Sequence, residues 1–264
     1  MDNAGAQLTM LTRLGFAARG LLYLIIAYLV ITTGRTEDPA GALGYLGQGG
    51  GKTLLYLVIL GLLAYGLWRL SDAIFDIERH GTGNKAVVQR IGAAASAIIH
   101  FFLAWQAIKL VRGASDTANN GAAEGATSVL QIPGGGMMLI AGGLILLATG
   151  VYQLVKAAKG SYLEHLEPHI AGQPWAKWTG RLGYAARGVV FLITGAFLAN
   201  AGFGEKANEA GGMAEALSWL DYPWDMVVAF GLLSFGLFSL IEARYRVLQD
   251  VPVGTLGKNI RAKI

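Results

Sequence analysis

No cysteine occurs in the 264 residues, which excludes disulfides, thiolate metal centres and cysteine nucleophiles. Charge is scarce too. Asp, Glu, Lys and Arg make up 14% of the chain, where soluble domains carry about 25%. Catalytic sets are missing as well: there is no Ser/His/Asp arrangement, no pair of carboxylates inside an apolar span and no GxSxG elbow. The chain is therefore expected not to be an enzyme and to need no cofactor. What it has in quantity is apolar sequence, 54% of the residues, and glycine, at 38. Apolar runs near 20 residues point to a polytopic membrane protein, and glycine lets helix backbones approach closely in lipid. The pI near 9.3 does not signal nucleic acid, because the basic residues flank apolar spans and form no single patch.

The spacing predicts an all-α protein with six transmembrane helices at Leu14–Thr33, Thr53–Asp72, Ile91–Leu110, Gly136–Lys156, Leu182–Ala201 and Asp225–Arg244. The first run follows Arg13 and Arg19 as a signal peptide would. No small-x-small cleavage site follows it, so it is read as a retained span. Of 21 Lys and Arg, 16 fall in the termini, the second and fourth loops and the adjoining helix ends; five fall on the other side. Acidic residues split 8 to 9, so both termini are expected to face the cytoplasm.

One string is written three times: "RLGFAARG" at 13–20, "RIGAAASA" at 90–97 and "RLGYAARG" at 181–188. Each opens a first helix. The second helices align through "AYGLWRLSD" at 64–72, "ATGVYQLVK" at 148–156 and "SFGLFSLIE" at 234–242. The chain thus reads as three pseudo-symmetric helix-pair repeats, approximately 10–80, 87–160 and 178–250, followed by a basic cytoplasmic tail, 251–264. Two spans per unit give every unit the same orientation, so the repeats are parallel and form a ring or compact bundle. Short outer elements, "GALGYLGQ", "GATSVLQI" and "GMAEALSWLDYPW", precede the three second helices.

Gly66, Gly150 and Gly236 coincide in the alignment, as do Trp68, Tyr152 and Phe238. The glycines read as helix-packing positions, with the rings filling the adjacent space. Asp72, Lys156 and Glu242 align, and so do Arg19, Ser96 and Arg187. The middle unit has lost arginine and acid together, which suggests direct Arg–carboxylate pairs, Arg19 with Asp72 and Arg187 with Glu242, or pairs of the same kind across repeats. From Arg19 to Thr33 is roughly 21 Å of helix, so Arg19 lies below the interface of a core about 30 Å thick. Such pairs either clamp helix ends or form a gate or anionic headgroup site. His100, mid-span where the other units carry Tyr23 and Phe191, is either a hydrogen-bonded packing residue or a proton or ligand site.

Two motifs are set aside. "LGQGGGKT" at 46–53 lacks the first glycine and the preceding strand of a phosphate loop. His165 and His169 have zinc spacing, but Pro168 interrupts their helix, and no metal is expected.

The strings "RLGFAARGLLY" at 13–23, "RLGYAARGVVF" at 181–191 and "FGLFSLIEARYR" at 235–246 resemble a bacterial membrane family described only as domain of unknown function 1206. The resemblance implies three tandem two-span units in the bacterial plasma (inner) membrane and carries no activity with it. The expected role is that of a structural, accessory or lipid-interacting helix bundle, with membrane lipids and another membrane protein complex as partners. The alternative is a small channel or transporter with a pathway on the pseudo-threefold axis.

Overall fold

A computed structural model describes residues 3–47, 51–76, 81, 83–113 and 121–247. The basic tail at 251–264 lies outside the described residues, as do residues 48–50 of the glycine-rich motif. Among the described residues there is no strand, only an isolated bridge between Leu166 and Arg246. Among the described residues six helices are long and apolar enough to cross a membrane: α1 (Asn3–Thr33), α3 (Lys52–Phe75), α4 (Asn84–Val111), α6 (Gly135–Lys159), α8 (Pro174–Gly204) and α10 (Trp224–Tyr245). Short helices precede three of them, α2 (Pro39–Gly47), α5 (Gly121–Leu130) and α9 (Met213–Trp219), where the short outer elements are expected. A last one, α7 (Pro168–Ala171), sits between α6 and α8.

The first helix of each unit starts well before its apolar stretch. α1 and α8 each run 31 residues, roughly 46 Å, so the repeated arginine strings lie inside helices. Hydropathy marks where a helix meets lipid, and a helix continues beyond that wherever no residue stops it. The end at which α1, α4 and α8 begin is called basal; the opposite end, carrying α2, α5 and α9, is distal.

The long helices pack in the order α4, α3, α1, α10, α8, α6. Glycine sets the closest approaches. Along the α6–α8 seam, Gly136, Gly143 and Gly150 face Gly202, Gly195 and Gly188 at seven-residue spacing. A Cβ on Gly143 would sit 2.7 Å from the Gly195 carbonyl, and one on Gly150 would sit 2.9 Å from that of Gly188. The α1–α10 seam repeats the last of these contacts, with a Cβ on Gly20 falling 2.9 Å from the Gly236 carbonyl. On the α3–α4 seam Gly66 meets the Phe101 ring instead.

Within units one and three, the two long helices also pack on each other. Gly15 receives Tyr65 and Gly61 receives Ala18; correspondingly, Gly183 receives Phe235 and Gly231 receives Ala186. The middle unit departs from this. Gly92 has nothing within 4 Å, and the position of Gly61 and Gly231 is taken by Ile145, which is 62% exposed. A branched side chain there holds off the close approach that glycine allows. So α4 and α6 leave an open flank, and the six helices form an arc with two end helices. Tyr152 is exposed beside this flank, while its counterparts Trp68 and Phe238 are buried.

Candidate functional site

The basal half of the arc holds a buried charged cluster. Its centre is Arg19 on α1, which satisfies each guanidinium nitrogen with a different partner. Nε donates to Ser239 Oγ at 3.1 Å, Nη1 to the Tyr65 hydroxyl at 3.1 Å and Nη2 to Glu242 Oε2 at 2.6 Å. The plane of the group also lies over Phe16, 4.5 Å from the ring centre, and over Phe235 at 5.0 Å. Arg246 approaches the other carboxylate oxygen, Nη1 to Oε1 at 3.0 Å. It rests on Phe16 and Trp68. Glu242, 2% exposed, is thus bracketed by two arginines from opposite sides. A carboxylate removed from water needs such charge-assisted bonds to offset its lost hydration.

The pairing differs from the expectation within units. Arg19 takes the carboxylate of unit three, because α1 packs on α10 across a boundary between units. Asp72, fully buried on α3, lies 3.6 Å from Arg69 one turn earlier. Arg187 does not reach Glu242. Its guanidinium sits over Tyr23, Phe191 and Phe235, and among the described residues it makes no ion pair. The loss of arginine and acid in the middle unit therefore falls on two different seams. By the alignment of the repeats, Ser96 takes the arginine's place on the α3–α4 seam, and Lys156 takes the carboxylate's place on the α6–α8 seam.

His100 joins the edge of the cluster. Its Nδ1 donates to the Ser96 carbonyl one turn back at 2.7 Å, and its ring lies 4.4 Å from that of Tyr65. Tyr65 thereby links His100 to Arg19. The glycines Gly66, Gly150 and Gly236 all lie at helix seams.

Two further features escaped the sequence reading. The first arginine of the second and third strings latches the preceding unit: Arg90 donates to the Ala73 and Ile74 carbonyls, and Arg181 to those of Ala157 and Ala158. These are equivalent positions at the ends of α3 and α6, where unpaired carbonyls favour a cation. The signal was present in the alignment, since Arg90 and Arg181 match, but the target was not. The second feature is distal. Thr36, Glu37 and Asp38 face Ala214, Glu215 and Ser218 across a cavity of about 180 Å³. Arg35 neutralises Glu37 at 2.7 Å, and Asp38 accepts from Gly41 N–H. Burial, with Glu215 and Glu37 nearby, raises the Asp38 carboxyl above its ordinary range against the pull of the Gly41 amide. Among the described residues no cluster of His and acids is arranged to hold a metal.

At the basal end, residues 161–173 tie α10 to α8. Glu167 N–H donates to the Tyr245 carbonyl at 3.0 Å and Val247 N–H to that of His165 at 2.8 Å. Tyr162 is inserted between α8 and α10, stacked on Tyr184 and edge-on to Phe238. Burial pushes its phenol up. His169 contacts Glu167 at 3.5 Å.

A family profile described as Domain of Unknown Function (DUF1206) matches three separate segments, 14–76, 91–160 and 182–246. The chain belongs to the DUF1206 family. Each matched segment begins one residue after the repeated arginine of its string, and the three together take in Arg19, Asp72, Lys156, Arg187 and Glu242. This DUF1206 chain is 28% identical over 249 residues to a Bacillus subtilis (strain 168) protein described as "Uncharacterized protein YxxB". The alignment covers 89% of this chain and 90% of that one. No solved structure matches the DUF1206 chain.

Proposed function

We propose that this DUF1206 chain is a non-enzymatic scaffold of the bacterial inner membrane, basal end toward the cytoplasm, whose open flank is filled by lipid or by a helix of a partner complex. One observation carries the reading: the buried charges of the basal cluster are spent on one another and on aromatic rings inside helix seams. Arg19, Arg246 and Glu242 are packed among Phe16, Tyr65, Trp68 and Phe235. A channel or transporter on the pseudo-threefold axis would instead present such groups to a continuous polar lumen. The flank between α4 and α6 exposes Gly92 and Ile145.

The test is native mass spectrometry of protein gently extracted from its own membrane, paired with solute flux in liposomes. A stoichiometric lipid or protein chain without flux supports the scaffold. Selective flux through the purified chain overturns it.

A further inference from the structure

The α1–α10 and α8–α6 seams are the same seam built twice. Gly20 faces Gly236 as Gly188 faces Gly150, with a would-be Cβ 2.9 or 3.0 Å from the opposing carbonyl in all four directions. Leu24 and Leu192 fill the next position alike. Residues therefore correspond across the two: Arg19 with Arg187, Ser239 with Gln153, Glu242 with Lys156.

The chemistry of the two seams does not correspond. On α1–α10 the arginine has a hydroxyl and a carboxylate. On α8–α6 the carboxylate is replaced by an ammonium, which places two cations on one seam. Arg187 Nε is buried with no hydrogen-bond partner. Gln153, 8% exposed, leaves Oε1 without one. Lys156 Nζ lies 4.9 Å above the Tyr184 ring, and rings are all that Arg187 has. Both cations are half-buried and, among the described residues, neither makes an ion pair; in a membrane their exposed part meets lipid, where a cation without a direct partner is costly. An anion between them would stand where Glu242 stands in the other seam.

We propose that Lys156 and Arg187 bind the phosphate of an anionic phospholipid at the α6–α8 seam. A phosphodiester presents two non-bridging oxygens that share its negative charge, one for each cation. A lipid is favoured over a free ion because α6 borders the open flank, and its outward residues Leu144, Ile145, Val151 and Val155 are apolar and exposed along the length of an acyl chain. The proposal rests on the lipid-embedded scaffold reading and deepens it.

The test uses the full chain in a neutral maltoside detergent, with phosphatidylglycerol, phosphatidylcholine and inorganic phosphate as separate probes, read by native mass spectrometry and thermal midpoint. The expected result is at least a tenfold preference for phosphatidylglycerol over phosphatidylcholine. Lys156→Glu is expected to abolish that preference and to raise the lipid-free midpoint, because it restores to Arg187 the carboxylate that Arg19 has. Lys156→Met, which adds no charge, is expected to lose the preference without the gain. Equal retention of both lipids by the natural chain overturns the proposal, as does undiminished preference in both variants. Stabilisation by inorganic phosphate equal to that by phosphatidylglycerol overturns the lipid as the source of the anion. Solute flux, which overturns the scaffold reading, is measured apart from these and does not depend on Lys156.

Discussion

Replacing Glu242 with alanine would leave Arg19 and Arg246 buried side by side, without the carboxylate that both of them reach. The side chains of Arg19 and Glu242 are 9% and 2% exposed, so little water can take the place of the lost partner. Breaking a buried pair from one side costs about 3–5 kcal/mol. At a few degrees per kcal/mol, the thermal midpoint should fall by about ten degrees. Arg19→Ala should cost a comparable amount. The double variant Arg19→Ala, Glu242→Ala should cost less than the sum, because the second change removes a charge already stranded, with a coupling of about 1–3 kcal/mol. Tryptophan fluorescence is the natural assay, since Trp68 is 1% exposed and sits beneath the Arg246 guanidinium. Raised salt should leave the coupling almost unchanged, as counter-ions do not enter the seam. Strictly additive costs, or a Glu242→Ala penalty below about 1 kcal/mol, would refute the clamp and with it the central reading of the cluster.

Gly143→Val should destabilise strongly, by several kcal/mol, because its Cβ would meet the Gly195 backbone; normal thermal melts would contradict the α6–α8 seam. Gly61→Ile should disrupt packing of α3 on α1, whereas Gly92→Ala should be silent in the same melts despite occupying a repeated motif position. Equal effects of the two would mean that the middle unit is closed. Asp38→Asn tests the distal cavity. A folded carboxyl whose affinity for its proton is raised holds that proton where the unfolded chain has released it. Stability therefore falls as pH rises from the unfolded pKa through the folded one. The amide should raise the midpoint at pH 7, and the gain should vanish below about pH 4; a gain independent of pH would contradict burial as the cause.

The six spans and the three short distal helices were legible in the sequence because hydropathy and repetition both mark them. The extended basal starts of α1, α4 and α8 were not, since no apolar signal accompanies a helix outside lipid. Repetition showed that Arg19 matches Arg187 and that Asp72 matches Glu242, but an alignment of repeats says which positions are equivalent and not which are neighbours. The exchange of partners follows from α1 packing on α10, a contact between units. The open flank had a visible cause in Ile145, which occupies the place of Gly61 and Gly231, though its meaning required knowing that those glycines face Ala18 and Ala186. Arg90 and Arg181 were visible as repeated residues, while their carbonyl targets lie 16 to 24 residues back in the chain.

An arc with two end helices is mechanically unlike a closed barrel of helices. Five tight joints make it stiff along its length, and the gap between α4 and α6 is the one dimension in which it can yield. Lateral pressure in the surrounding bilayer works on that gap. Whatever wedges into it, acyl chain or foreign helix, would set the curvature of the whole strip, while the glycine-on-glycine joint of α6 and α8 beside it holds its own spacing.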